Sequence, residues 1–248
     1  MKKLTVFCAA ACLAASAAAQ NHPDLHEVLD RQKGRNLIEI PKGTYTLDVR
    51  NNGPYKFHNL TDVHINGNGS TVICNNQEQA FSFYNCVRVE LRDLTIDYDP
   101  LCFTQGEITA VAEDGSWFDV RIDEGYPVTG LAANRVQFYD PQTRLLKRNS
   151  ITTYTSNYSA LKQLGHNLFR AVKNGTWSAG EQVGDLVVMD VKTDKPNAGV
   201  HTVMLNKCYN TKLENVTVYG SNTFSFFEKE GYANEYRNCV VDRGPMPQ

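Results

Sequence analysis

Four segments of the chain repeat one alternating pattern of apolar and polar residues. They are 59–75 (NLTDVHINGNGSTVICN), 85–99 (NCVRVELRDLTIDYD), 207–221 (KCYNTKLENVTVYGS) and 232–244 (YANEYRNCVVDRG). Aligned, they place apolar residues in four columns: Leu60, Cys86 and Cys208; Val63, Val89 and Thr211; Ile65, Leu91 and Leu213; and Val72, Leu94, Val216 and Cys239. A period of two is typical of strands with one buried face. The repeat therefore predicts stacked short strands separated by Asn, Asp or Gly corners.

Two solenoid folds compete for this repeat. LTDVHINGN matches the leucine-rich-repeat frame, but the later segments continue as β-branched strand after Leu94 and Val216, where that frame needs a helix. A right-handed parallel β-helix accounts for both strands of every segment, with equivalent side chains stacked about 4.8 Å apart. We therefore predict an all-β chain built on a right-handed parallel β-helix.

The repeat is interrupted once, between Leu94 and Val216. One coil takes about 22 residues, so roughly 100 residues of this gap do not belong to the solenoid. They keep a β pattern in GEITAVAEDGSWFDVRID, NRVQFYD and DLVVMDV, with turn signals between them. Only 158–172 (YSALKQLGHNLFRAV) is ambiguous, between a helical turn and a loop. The insertion is predicted to fold as a small antiparallel β-barrel or sandwich docked on the coil.

The N-terminus has the pattern of a cleaved export signal. Residues 1–19 combine a basic start, an apolar middle and alanines before Gln20. The apolar run of about 16 residues is too short and too rich in Ala for a membrane span. The protein is therefore expected in the periplasm or outside the cell, and Cys12 leaves a lipoprotein as the alternative.

The two ends of the predicted solenoid differ in whether a cap covers them. Helical spacing of apolar residues after Pro23, followed by Gly34, predicts a short helix that covers the first coil. The final residues, DRGPMPQ, offer no such cap, so the chain is expected to be truncated within the solenoid at Gln248. The predicted parts are a signal peptide (1–19), the cap helix and first coils (20–104), an inserted β-rich domain (105–198) and further coils (199–248).

Charge and cysteine content narrow the function. Loss of Lys2 and Lys3 with the signal changes the formal net charge from −2 to −4, and no basic tract remains to bind nucleic acid. The mature chain keeps five cysteines: Cys74, Cys86, Cys102, Cys208 and Cys239. They are interpreted as buried free thiols. A Cys86–Cys208 disulfide is the alternative, because these two are neighbours in one column. No motif indicates a metal or another cofactor.

Several segments resemble a known superfamily. IEIPKGTYTL, VHINGNGSTVI and LRDLTIDYDP resemble the opening coils of pectin-lyase-like right-handed parallel β-helices, many of them carbohydrate-active. More narrowly, TIDYDPLCFTQGEITAV, the β-rich insertion, GVHTVMLNKCYNTKLENVTVYGS and FSFFEKEGYANEYRNCVVDRG are together similar to the N-terminal part of family 110 glycoside hydrolases. That resemblance implies a barrel inserted early in the β-helix and inverting removal of terminal α-1,3-linked galactose. The family's catalytic acids lie beyond the point corresponding to Gln248, so the catalytic residues are unknown.

Two candidate substrate-binding carboxylates lie where the coil gives way to the insertion. In LTIDYDP, Leu94 and Ile96 point inward, so Asp97 points outward on the same strand. Asp99 precedes Pro100 at the exit from the coil. The structural alternatives are a solvated face for Asp97 and an Asx turn for Asp99.

Two further candidates lie in FFEKEGY. Glu228 and Glu230 stand near Phe226, Phe227 and Tyr232, and acids beside aromatics are a common sugar-binding combination. Ordinary loop acids near core aromatics are the alternative. His201, where the chain returns from the insertion, is interpreted as structural.

Three functions remain open on the sequence. The first is an exported glycosidase that removes terminal sugars such as α-linked galactose by inverting acid–base hydrolysis, with two carboxyl groups roughly 6.5 to 9.5 Å apart. The second is a polysaccharide lyase or polygalacturonase, for which calcium dependence or unsaturated products are diagnostic. The third is a non-catalytic carbohydrate-binding or structural solenoid. The predicted partner is an oligo- or polysaccharide.

Overall fold

The computed structural model describes residues 22–147, 153–154, 158–176, 178, 180–191, 201–221 and 223–242. The predicted signal peptide, 1–19, and the end of the chain, 243–248, lie outside these ranges. Among the described residues, none of the helices has the length and hydropathy needed to cross a membrane.

The described residues are nearly all β. The helices are α1 (Leu25–Asp30) and α2 (Val49–Asn52). The strands are β1 (Leu37–Glu39), β2 (Thr44–Leu47), β3 (Tyr55–His58), β4 (Thr61–Cys74), β5 (Phe81–Tyr84), β6 (Val87–Tyr98), β7 (Phe103–Val111), β8 (Trp117–Ile122), β9 (Leu131–Tyr139), β10 (Thr153–Tyr154), β11 (Tyr158–Gln163), β12 (Leu168–Lys173), β13 (Leu186–Val191), β14 (Val203–Asn206), β15 (Lys212–Tyr219), β16 (Phe226–Lys229), β17 (Glu235–Arg237) and β18 (Val240–Asp242).

Two parallel sheets form the coil. One contains β1, β2, β4, β6, β15, β17 and β18, and the other contains β3, β5, β14 and β16. Every pairing within these two sheets is parallel, and strands from successive coils stack on one another. Their inward side chains form one continuous hydrophobic core. The predicted right-handed parallel β-helix with an inserted antiparallel sheet is confirmed.

Three corners of each later coil adopt a left-handed backbone conformation. The corner residues form three columns: Asn59, Asn85, Lys207 and Glu230; Asp62, Arg88, Asn210 and Ala233; and Asn68, Asp93, Asn215 and Asn238. Asn and Asp tolerate this conformation because their short polar side chains form local hydrogen bonds. Corner amides also link the coils: Asn85 Nδ2 donates to Asn59 Oδ1, and Asn215 Nδ2 donates to Asp93 Oδ1, each at 2.8 Å. The Asn-rich corners therefore stabilise the stacking as well as the turns.

One of the four predicted columns contains an error. Ser70, and not Val72, pairs with Leu94. The cause is a longer corner in β4, where residues 67–69 stand opposite the single residue Asp93. The longer corner moves the register by two residues, which leaves Val72 on the inner face because side chains alternate with a period of two. The other three columns are confirmed by the strand registers.

The predicted cap helix is present at the start of the described chain. The Asp24 side chain accepts a hydrogen bond from the His26 backbone N–H, as an N-cap residue does. Leu25 and Leu29 are fully buried in the core of the coil. Gly34 lies at the end of the turn that follows α1 and has φ of +81°, a conformation that favours glycine.

The insertion is a seven-stranded antiparallel sheet in the order β10-β9-β13-β7-β8-β12-β11. It has a hydrophobic core of its own, in which Phe118 meets the rings of Phe138 and Tyr158 edge to face. β11 also approaches β9, so the sheet curls towards a barrel. Its strands run from Phe103 to Val191. The boundary predicted at residue 198 lies outside the described residues.

The interpretation of 158–172 as a helical turn or a loop is wrong. This segment forms the hairpin of β11 and β12, which turns around Gly165. Phe169 and Ala171 are buried with a period of two, and β12 pairs with β8. The free edge of β8 supplies backbone partners that a helix does not need, so tertiary pairing decides the conformation.

The five cysteines of the described residues are free thiols, and all but Cys239 are buried. Cys86 and Cys208 are neighbours in their column, as predicted. A hydrogen bond with the Cys208 thiol lowers the pKa of Cys86 to about 7 and raises the pKa of Cys208.

Candidate functional site

A cleft of about 560 Å³ lies between the coil and the inserted sheet. β7, β9 and β13 supply residues on the insertion side, and the turn after β15 and the end of β18 supply residues on the coil side. Its volume falls within the range of about 300–1,000 Å³ that is usual for sites that hold small molecules. The polar residues that line it are Gln105, Asp123, Gln137, Tyr139, Arg144, Asp190, Ser221, Thr223, Ser225 and Asp242.

Three carboxylates reach this cleft from different elements. In β13, the alternation that buries Val187 and Met189 leaves Asp190 on the opposite face. Asp242 ends β18, where it pairs with the end of β15. Asp123 follows β8, and it accepts a hydrogen bond from Gln105 Nε2 at 3.1 Å. The coil and the insertion therefore each contribute acids to one cleft.

The three carboxylates enter the cleft from β13, from the end of β18 and from the residue after β8. In the part of the chain that the structure describes, His, Cys, Asp and Glu side chains do not gather in any group of three that is close enough to hold a metal ion. Carboxylates spread along a cleft accept hydrogen bonds from several ligand groups at once. The arrangement therefore suits a ligand with many hydroxyl donors.

Buried hydroxyl groups support the coil side of the cleft. The Tyr98 hydroxyl oxygen lies 2.8 Å from Thr202 Oγ1, which lies 2.9 Å from Ser221 Oγ in the cleft wall. The next wall residue, Gly220, has φ of +60°, and a Cβ there would lie 3.7 Å from the Phe103 ring of the insertion. Hydrogen bonds to the core and close contact with the insertion thus fix this turn.

The two candidates at the end of β6 lie outside this cleft lining. Asp97 is partly buried and accepts a hydrogen bond from the Tyr98 N–H at 2.8 Å. Burial raises the pKa of Asp97, and the charge of the nearby Asp99 raises it further. Asp99 itself is exposed. As substrate-binding residues, both stay predictions.

Glu228 and Glu230 also lie outside the cleft lining, on the other sheet of the coil. Glu228 accepts hydrogen bonds from Asn234 Nδ2 at 2.9 Å and from the Tyr236 hydroxyl at 3.3 Å. Glu230 occupies a left-handed corner and forms ion pairs with Lys207 at 3.8 Å and with Lys229. These contacts stabilise the last described coil, and a role in sugar binding stays a prediction for both glutamates.

At pH values above the ordinary pKa of an Asp, Asp97→Asn is expected to make the coil more stable than it is in the wild-type protein. Because the folded-state pKa of Asp97 lies above its unfolded-state value, the folded state binds more protons between the two values. The wild-type protein therefore loses stability as the pH rises through that window, and an amide removes this loss. Urea unfolding midpoints of both proteins, measured from roughly pH 3 to pH 8, check this. The prediction is wrong if the difference between the two proteins does not change with pH.

His201 borders the cleft through one hydrogen bond. Its Nδ1 lies 2.8 Å from Oγ1 of the wall residue Thr223. The imidazole stacks on Phe227 with ring centroids 4.0 Å apart. Burial lowers the pKa of His201, which favours the neutral ring. These contacts agree with the interpretation of His201 as structural.

Sequence reasoning missed the acids of the cleft. Asp190 had a usable signal, since it is an outward position of DLVVMDV, and Asp242 follows the last strand-like run. The sequence does not reveal that these two outward positions face the same space.

Neither a scan against protein-family models nor a search of the curated proteins finds a match to this chain. The β-helix fold is nevertheless one that fits carbohydrate-active β-helix proteins generally.

Proposed function

We propose that this protein is an exported carbohydrate-active β-helix protein that binds the terminal sugar of an oligo- or polysaccharide in the cleft. The observation that carries the proposal is the lining itself. Acids, amides and hydroxyl groups enter the cleft from both the coil and the insertion, beside the aromatic rings of Phe103 and Tyr139. A sugar offers hydroxyl donors to the acids and an apolar C–H face to the rings.

The narrower proposal is the N-terminal part of an inverting glycoside hydrolase that acts on α-linked galactose. Its support is the resemblance of the coil segments and of the position of the insertion to family 110 glycoside hydrolases. Asp123, Asp190 and Asp242 are assigned here to sugar binding, and no acid or base role is assigned to them. The chemical step belongs to residues that are not identified.

The charge of the cleft favours a neutral sugar over a uronic acid. Among the residues that the structure describes, three carboxylates and the guanidinium of Arg144 line it. A uronate would bring a further negative charge among them, and like charges in a partly desolvated site repel each other. A galactoside therefore fits better than the polygalacturonate substrates of the lyase and polygalacturonase alternative.

Asp190→Asn is expected to weaken saccharide binding by about 10- to 100-fold. A hydrogen bond to a charged group contributes about 1.5–3 kcal/mol, and about 1.4 kcal/mol corresponds to a factor of ten. Isothermal titration calorimetry with galactose and α-1,3-galactobiose measures the change. Glu113→Gln is the matched control, because it neutralises an exposed carboxylate of the insertion that does not line the cleft.

The same samples distinguish the candidate functions. Release of galactose from galactobiose, detected by anion-exchange chromatography, supports the hydrolase, and unsaturated products from oligogalacturonides support a lyase. Binding without release fits both a carbohydrate-binding protein and the N-terminal part of a hydrolase, so release is then measured again with the product of the full reading frame. The cleft proposal is rejected if neither galactosides nor galacturonides bind.

Export is proposed from the sequence of residues 1–19 alone. A mass of the recovered protein that begins at Gln20 would support cleavage of a signal peptide. A lipid-modified product that begins at Cys12 would support the lipoprotein alternative.

A further inference from the structure

Three aromatic rings pack against one another beside the cleft. Besides its contact with Phe227, His201 has its ring centroid 5.3 Å from that of Phe224. The two Phe rings are inclined by only 13°, with centroids 6.0 Å apart. We call His201, Phe224 and Phe227 the aromatic stack.

The aromatic stack exposes one ring to solvent. The Phe224 side chain is 61% exposed, whereas Phe227 is partly buried. The Phe224 ring contacts those of His201 and Phe227, and most of its surface stays open to solvent. The core of the coil does not explain this exposure, because Phe224 is not among the residues that pack against that core, unlike Phe57, Phe81, Phe83 and Phe226.

The aromatic stack is continuous with the cleft. Thr223 precedes Phe224, lines the cleft, and shares a hydrogen bond with His201. Ser225, which follows Phe224, also lines the cleft. A ligand that extends out of the cleft past Thr223 therefore meets the aromatic stack next.

The chemistry of the aromatic stack selects its occupant. An exposed ring face attracts the partially positive C–H groups of a pyranose, and the nearby Thr223 hydroxyl supplies the polar edge that sugar hydroxyls need. A protein partner would need about 1,200 Å² or more of buried surface in total, far more than one exposed ring offers. Single-ring size and a polar edge therefore point to a sugar.

We propose that the aromatic stack is a second sugar subsite, which holds the pyranose next to the one in the cleft. This inference rests on the proposed function and adds to it the place where the second sugar residue binds, on the exposed ring of Phe224. Phe224 is then a residue that determines preference for chain length.

The test compares a monosaccharide with its disaccharide. Affinities of the full chain for galactose and α-1,3-galactobiose, and for galacturonic acid and digalacturonic acid, are measured by calorimetry on wild type and Phe224→Ala. For the sugar pair that binds, we expect Phe224→Ala to lower the disaccharide affinity by about 3- to 10-fold and to leave the monosaccharide affinity unchanged. Phe224→Trp keeps an aromatic ring at this position, so it is expected to keep the preference for the disaccharide that Phe224→Ala loses.

The controls keep the possible failures apart. Leu164→Ala removes another exposed apolar side chain, in the hairpin turn of the insertion, and should change neither affinity. Thermal unfolding of Phe224→Ala checks that the exposed position tolerates the change. The second subsite is overturned, and the cleft proposal stands, in either of two cases. One is that Phe224→Ala and Leu164→Ala bind the disaccharide with equal affinity. The other is that Phe224→Ala loses equal affinity for the monosaccharide and the disaccharide. No binding of any of the four sugars by wild type would overturn both.

Discussion

Phe83→Ala is expected to lower the free energy of unfolding of the coil by about 3–5 kcal/mol. Phe83 lies in β5, is fully buried, and stacks on Phe57 of the preceding coil with ring centroids 4.8 Å apart. Removing the ring loses its burial and leaves a cavity. Strands on both sides of β5 are held by parallel backbone hydrogen bonds, so the coil cannot collapse easily into that space.

The next residue in the same strand provides the control. Tyr84 points to the outer face of β5 and is 37% exposed. Tyr84→Ala removes a ring of similar size, yet it should cost clearly less than Phe83→Ala, because Tyr84 is partly exposed and its removal leaves no enclosed cavity. Urea unfolding followed by far-ultraviolet circular dichroism measures both variants. Similar losses for the two would contradict the assignment of inner and outer faces.

Lys173→Met is expected to destabilise the inserted sheet by about 3–5 kcal/mol. Lys173 of β12 forms an ion pair with Glu181, and neither side chain is accessible to solvent. Without the ammonium group, the buried Glu181 carboxylate loses this ion pair. Removing one partner of a buried ion pair costs far more than the net contribution of the pair.

The double variant isolates this effect. Lys173→Met combined with Glu181→Leu replaces both charges with apolar groups and should recover most of the lost stability. Unfolding is followed by the fluorescence of Trp117, which lies on β8 beside β12. If the double variant is as unstable as Lys173→Met, the loss of stability comes from packing at Lys173 and not from the lost ion pair with Glu181.

These two sites differ in how far the sequence predicts them. Phe83 lies in FSFY, where a period of two separates inner from outer rings, so its burial follows from local alternation. Lys173 and Glu181 give no such indication, because a charged residue is normally read as exposed. Their burial depends on the ion pair that the two side chains form across a connection of the insertion, which the local pattern does not reveal.

The sequence by itself determined the architecture of the solenoid. Strand alternation and left-handed Asn and Asp corners are properties of a few neighbouring residues, and their recurrence specifies a stack of coils. The position of the insertion followed from the same repeat, because the coil resumes after it at Leu213 and Val216 in register with Leu91 and Leu94. Even the error at Val72 kept the correct inner face, since a shift of two residues preserves it.

Only the tertiary structure decided where the cleft lies and which acids line it. Alternation along a strand assigns each side chain to the inner or outer face, but it carries no information on which outer faces meet. Asp190 and Asp242 line one cleft because the inserted sheet docks against the coil beside Gly220 and Phe103. Asp97 and Glu228 are also carboxylates that stand close to aromatic residues in the sequence. They lie outside the cleft because contacts between distant segments, and not the local pattern, determine which surfaces come together.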